Sequence, residues 1–226
     1  QRAKIRAALS VHAEDAARFI GPPVEAMDLR EVPRVAVRVI VAVRDEAIGT
    51  VAATLADAGF RGGLALHTCG AKGPEALAPL AANGVACGLM HPLQTIPTPT
   101  DGVRSLAHAT FGVTGDASAV AWAETLVARL DGRALRLRSD RLSDYHAGAV
   151  LASNALVAVL DSALVLLERA GVERQAALEA LGPLAGATII NVLTVGPEAA
   201  LTGPVARGDA GTVAAHAAAL LVVHPT

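Results

Sequence analysis

Val35-Ala36-Val37-Arg38-Val39-Ile40-Val41-Ala42-Val43 is a β-branched, apolar run broken only by Arg38. An apolar run without alternation is the pattern of a strand covered on both faces, as strands of parallel sheets are. Asp45 then stands where a helix N-cap belongs, and Ala47, Ile48, Val51, Ala52 and Leu55 recur at helical spacing as far as Gly59. The same alternation extends outward. Further strands are expected at residues 5–11, 64–67, 85–90, 107–113 and 134–137. Helices are expected up to Ile20, at 74–82 with Pro74 in the first turn, and at 116–130. Strands and helices alternating through short loops give a doubly wound, Rossmann-like α/β parallel sheet.

The alternation stops near Arg138. Beyond it only helical periodicity remains, at 143–170, 173–181, 185–195 and 209–223. Two domains are therefore expected, an α/β domain over 1–138 and an all-α domain over 139–226. The helix at 143–170 would be about 42 Å long at 1.5 Å per residue. It is too apolar for three neighbouring helices to cover, so a homodimer built on the helical domain is expected. Its most apolar part, 147–167, contains Asn154 and Asp161 and runs into Glu168-Arg169, which reads as a buried helix and not a membrane span.

Composition excludes other classes. Of 226 residues 50 are Ala and only five are aromatic, with a net charge of −2. There is no basic excess for a phosphate backbone and no aromatic set for stacking bases, so no nucleic-acid partner is expected. Two cysteines, Cys69 and Cys87, and no signal peptide point to the cytoplasm. His67-x-Cys69 and Cys87-x3-His91 hold the residue types of a zinc site, but the Cys-x2-Cys knuckle is absent and Cys87 falls inside a strand, so no metal is expected.

Four constellations could carry chemistry. His67-Thr68-Cys69-Gly70 lies at a strand end, where open α/β sheets bind ligands; an ordinary strand-to-helix turn is the alternative. His91-Pro92-Leu93-Gln94-Thr95 also follows a strand, and the Pro-Thr-Pro run after it should keep the loop open; a structural His-Pro turn is the alternative. On the long helix, His146, Ser153, Asn154 and Asp161 share an arc of about 100° at 100° per residue, with Tyr145 beside them. They form either hydrogen bonds between helices or a substrate wall with His146 as acid or base. Last, Thr202-Gly203-Pro204 through Arg207-Gly208-Asp209 is a tight turn in which Arg207 could hold a carboxylate and Asp209 could cap the last helix.

In this order the pieces resemble a family of bacterial Rossmann-like oxidoreductases with a helical C-terminal domain of unknown function. That family is related to pyrroline-5-carboxylate reductase, ketopantoate reductase and the β-hydroxyacid dehydrogenases. The resemblance rests on Val41-Ala42-Val43-Arg44-Asp45-Glu46-Ala47-Ile48, His67-Thr68-Cys69-Gly70, His91 through Thr95, Tyr145-His146 through Ser153-Asn154, and Leu201 through Asp209. Arg44 stands where the family usually has Pro, and Cys69 where it usually has Ser.

The resemblance implies a nicotinamide cofactor and a small carboxylate-bearing keto, hydroxy or imino substrate. It makes His91, His146 and Asn154 the catalytic candidates. Ser10, His12, Val43, Asp45, His67 and Thr68 become cofactor contacts, and Ser153, Thr202 and Arg207 substrate contacts. Residues 5–11 become the second strand of the fold; its end, Ser10-Val11-His12, carries no acid for a ribose hydroxyl, which favours NADP over NAD. No G-x-G-x-x-G occurs in the sequence, so the first strand and its phosphate-binding turn are missing from these residues. Weak NADPH binding by the 226 residues is the expectation. The alternative is a cofactor-free binding or assembly protein that keeps the fold without the phosphate loop.

Overall fold

In the computed structural model, which describes residues 13–20, 22 and 24–223, the apolar run at 35–43 forms β1 (Arg38–Val41). The helix α1 (Ala13–Ile20) precedes it. After it come α2 (Ile48–Asp57), β2 (Leu64–His67), α3 (Ala78–Ala81), β3 (Ala86–Pro92), α4 (Pro99–Ser105), β4 (Thr110–Gly115), α5 (Ala117–Ala128) and β5 (Arg133–Arg136). The strand expected at 5–11, with Ser10, and His12 beyond it lie outside the described residues.

The sheet has the order β1-β2-β3-β4-β5. β1, β2 and β3 are parallel, and so are β4 and β5. The β3–β4 pair is antiparallel, the one such pair among the described residues in a sheet that is otherwise parallel as expected. Leu93 N–H donates to the Thr110 carbonyl (2.8 Å), so β4 starts beside the end of β3 and has to run back along it. Between them α4 replaces the open loop expected after His91: Pro99 sits in its first turn, where a missing N–H costs nothing, and Thr98 caps Asp101 N–H.

The middle of the sheet, β2 to β4, is covered on both faces, while β1 and β5 at its edges are largely exposed among the described residues. Ala65 and Cys87 join Ile48, Leu55, Phe60, Leu77 and Leu80 in one core. Leu66 and Met90 join Phe111, Val113, Ala119, Ala123 and Val127 in the other. Two expected caps differ. Asp45 opens a 3-10 turn over Asp45–Ala47, whose N-cap is Arg44, and caps nothing with its side chain. The Asp116 carboxylate, placed before α5, accepts Cys87 N–H (2.7 Å) and so ties the helix to the start of β3.

The chain divides into two units, Gln1–Ala149 and Val150–Thr226, so the division falls inside the long helix and not near Arg138. That helix is also not uniform. It consists of α6 (Leu142–Val150), a π-helical segment (Leu151–Ala155) and α7 (Leu156–Arg169). After it come α8 (Arg174–Val195), α9 (Pro197–Ala200), α10 (Gly203–Ala206) and α11 (Ala210–Val223). Two expected helices merge in α8 because Pro183 removes one hydrogen bond without ending the helix. Arg174 pairs with Asp161 (2.8 Å) and Glu168 (2.9 Å), clamping α7 to the start of α8. Asp209 caps α11 by accepting Thr212 N–H (3.0 Å).

The expectation of a buried helix is corrected within one chain. Residues Ser139–Arg169 and Arg174–Val195 are long and apolar enough to cross a membrane, with mean hydropathies of 2.1 and 1.5 over their most apolar windows, and little of those windows is covered. Val157, Val159, Leu184, Ile190 and Leu193 all stand exposed.

Candidate functional site

The parallel register aligns Val41 with His67 and His67 with Leu89, so β1, β2 and β3 end at one edge of the sheet. That edge carries the loops holding Val43, Asp45 and Thr68, and beyond Leu89 it carries His91. Lys72 Nζ donates to the Asp45 carbonyl (2.7 Å) and so ties the loop after β1 to the loop after β2. Val43 and Thr68 are half-buried there and Asp45 is exposed.

His91 is the centre of a ring cluster. Its Nδ1 is 2.8 Å from the Tyr145 hydroxyl, and the two rings meet edge to face with centroids 5.6 Å apart. The His146 ring lies 6.0 Å from His91 at 71°. His146 Nδ1 is buried without a hydrogen-bond partner among the described residues. Tyr145 and His146 come from α6, whose Leu142 is buried and anchors its first turn.

Two glycines make room for these rings. His91 pairs with Gly112 across the antiparallel β3–β4 ladder, so the empty side of Gly112 faces the same way as the imidazole. A Cβ on Gly112 would come within 2.6 Å of Tyr145 Oη and 2.7 Å of Leu137 Cδ1. A Cβ on Gly70 would come within 2.7 Å of His91 Cε1. Gly112→Ala is therefore expected to push Tyr145 off His91 and to cost about 1–3 kcal/mol of stability. A thermal unfolding curve and the histidine NMR spectrum check both effects.

The electrostatics keep His91 neutral. Burial pushes its pKa below the ordinary 6.5; His146 and His67 act in the same direction, and Asp45 opposes them. Burial pushes the Tyr145 phenol up to about 12, against a smaller opposing effect of the Gly112 backbone. Burial, helped by a hydrogen bond with Asp45, raises the Cys69 thiol, while burial and Asp116 push Cys87 up to about 11. Both cysteines are free and stay protonated thiols.

Three sequence assignments change. His67, expected at the cofactor, is fully buried: its Nε2–H donates to the Gly73 carbonyl (3.0 Å) and its Nδ1 accepts Cys69 N–H (3.2 Å). It shapes the loop after β2 and has no nitrogen left for a ligand. The polar face of the long helix does not carry through the π-helical segment, whose extra residue per turn offsets a count made in 100° steps by about that amount. Asp161, expected on that face, is an ion-pair partner of Arg174. Ser153 and Asn154 lie in the π segment, where Ser153 Oγ donates to Asn154 Oδ1 (3.0 Å), and belong to the second unit, as do Thr202 and Arg207, both exposed at α10. Among the described residues no group of three or more His, Cys, Asp or Glu is placed to hold a metal.

Tyr145 is the functional candidate that the sequence reading passed over, although it is the single Tyr of the chain. Its partner lies 54 residues away, beyond any local pattern.

His67 also gives the fold a pH dependence. Protonating Nδ1 would set two donors, its own N–H and that of Cys69, against each other. Burial lowers its pKa from 6.5, against a raising effect of the Gly73 hydrogen bond. A lowered native pKa means the unfolded chain binds more protons, so stability is complete above 6.5 and is lost as the pH falls below it. Denaturant midpoints are expected to fall between neutral pH and about pH 5, and to fall less in His67→Gln.

Comparison with known proteins agrees with this architecture. The profile of the domain of unknown function DUF2520 matches residues 109–226, and that of a Rossmann-like domain matches residues 3–92. The chain belongs to the DUF2520 family. No curated protein sequence matches it closely enough to count as a relative. Among solved structures, protein TM1727 of Thermotoga maritima is similar at 21% identity, with 95% of this chain and 80% of that one covered and a TM-score of 0.72. BF3122 of Bacteroides fragilis, provisionally named an NADP oxidoreductase, is similar at 22% identity, 95% and 80% coverage and a TM-score of 0.70. The pyrroline carboxylate reductase of Plasmodium falciparum, with NADP bound, is similar at 12% identity, 88% and 80% coverage and a TM-score of 0.62. These structures share with this chain the fold of a Rossmann-like sheet followed by a helical region.

Proposed function

We infer that the protein is an NADP-dependent oxidoreductase acting on a small carboxylate-bearing keto, hydroxy or imino compound. The observation that carries this reading is the His91–Tyr145 pair at the shared end of β1, β2 and β3. That edge is where open α/β sheets take their ligands, and a neutral His with a hydrogen-bonded Tyr is a proton source suited to reduction of a C=O or C=N bond. The residues fit the reactive end of a nicotinamide cofactor. Val43 and Thr68 border the edge, and the orphaned His146 Nδ1 is a polar point that a carboxamide satisfies. Bound there, the reduced cofactor supplies hydride. NADP is favoured over NAD by the two fold relatives whose names include it.

Two further readings accompany this one. A second copy of the chain covers the exposed apolar faces of α7 and α8. A bilayer is disfavoured because Asp161, inside the apolar stretch of α7, would lie within it. The cytoplasm suits two free, buried thiols.

The test uses protein expressed from its complete coding sequence, mixed with NADPH and a panel of keto and imino compounds with and without a carboxylate. Oxidation of NADPH by carboxylate-bearing members supports the reading. Binding of NADPH without oxidation by any member overturns it.

A further inference from the structure

We propose that Tyr145 is a positioning residue that holds His91 as its Nε2–H tautomer and re-supplies that proton through Nδ1. The argument is one of donors and acceptors. Of the two arrangements open to this pair, the one in which the more acidic phenol O–H donates and the more basic imidazole nitrogen accepts is favoured. The acceptor is His91 Nδ1 at 2.8 Å. A nitrogen that accepts carries no proton, so the single proton of the neutral ring sits on Nε2. His91 Nε2 has no hydrogen-bond partner among the described residues and is not among the buried partnerless atoms, so it is open to a ligand or water.

The groups that face His91 are Tyr145 and His146 from α6, His67 from β2 and Asp45 from the loop after β1. Of these only Asp45 favours a charged imidazole, and burial outweighs it. A neutral His cannot give up its proton and stay neutral unless another proton arrives, and Tyr145 provides it.

The relay rests on the oxidoreductase reading above, and it balances. As a substrate carbon receives hydride from a reduced nicotinamide, the π electron pair moves to oxygen or nitrogen. That atom forms a bond to the Nε2 proton as the Nε2–H bond breaks. The Tyr145 O–H bond breaks and an Nδ1–H bond forms. His91 is neutral before and after, and the negative charge rests on the Tyr145 oxygen until water returns a proton.

Long-range 1H–15N spectra of the histidine-labelled chain, without cofactor, test the tautomer. Above pH 6.5 His91 is expected to show one neutral form protonated at Nε2. In Tyr145→Phe the two tautomers should mix, and Gly112→Ala, which keeps the hydroxyl but displaces it, should do the same. A wild-type His91 protonated at Nδ1, or a tautomer unchanged in both variants, overturns the proposal. In turnover, Tyr145→Phe should lower kcat about 10²-fold at neutral pH and recover part of it as the pH falls and His91 protonates. A pH profile parallel to wild type also overturns the relay. Failure of the oxidoreductase reading looks different: wild type turns nothing over while the tautomer result stands.

Discussion

His91→Gln is expected to lower the chemical step by about 10²–10⁴ while leaving the melting temperature near that of wild type. The imidazole is half-buried, and its protein contacts are one hydrogen bond to Tyr145 and edge contacts with two rings. Losing the hydrogen bond costs about 0.5–1.5 kcal/mol, and a Gln side chain of similar reach recovers part of it. Losing the proton donor removes a term that no neighbour replaces: His67 has both nitrogens engaged, and the Tyr145 hydroxyl points at His91. The same substitution in a merely structural histidine would instead lower the melting temperature and spare turnover in the folded fraction. Single-turnover rates and calorimetric melting, measured on one preparation, separate the two.

The second large effect concerns assembly. Leu193 is 80% exposed and Ile190 64% exposed, one helical turn apart on α8, while Val157 at 68% and Val159 at 64% stand out on α7. Covering such faces with a second copy is expected to bury more than roughly 2,000 Å², the range of obligate pairs. Sedimentation should then show a dimer at micromolar concentration. Leu193→Asp sets an unpaired carboxylate into that interface and should weaken it about 10²–10³-fold, giving monomer at the same concentration. A wild-type monomer under those conditions contradicts the dimer.

Residues 35–43 were legible as a strand from their β-branched, apolar run, but their expected burial on both faces fails. Among the described residues β1 is an edge strand, with Val41 buried and Ile40, like Val37 just before the strand, exposed; β2, inside the sheet, is buried and has the expected bounds. Strand direction was not legible at β4. It follows from where β3 leaves the sheet, a fact held in the Leu93–Thr110 hydrogen bond and not in either residue's type. His91 was legible from its place after a strand; Tyr145 was named but given no role, because only the folded chain brings it to Nδ1. His67 misled for a related reason. A histidine at a strand end reads the same whether its nitrogens face a ligand or, as here, the Gly73 carbonyl and Cys69 amide. The π-helical segment was invisible to a count in fixed angular steps, so the polar face built across it did not survive.

The central claim is that the end of β1, β2 and β3 around His91 receives the reactive end of a nicotinamide cofactor. The most direct measurement titrates NADPH into histidine-labelled protein and follows the imidazole resonances, which report even millimolar binding. The account predicts that His91 and His146 shift saturably while the enclosed His67 moves little. A saturable shift confined to other histidines, or none at His91 with NADPH demonstrably bound, contradicts it.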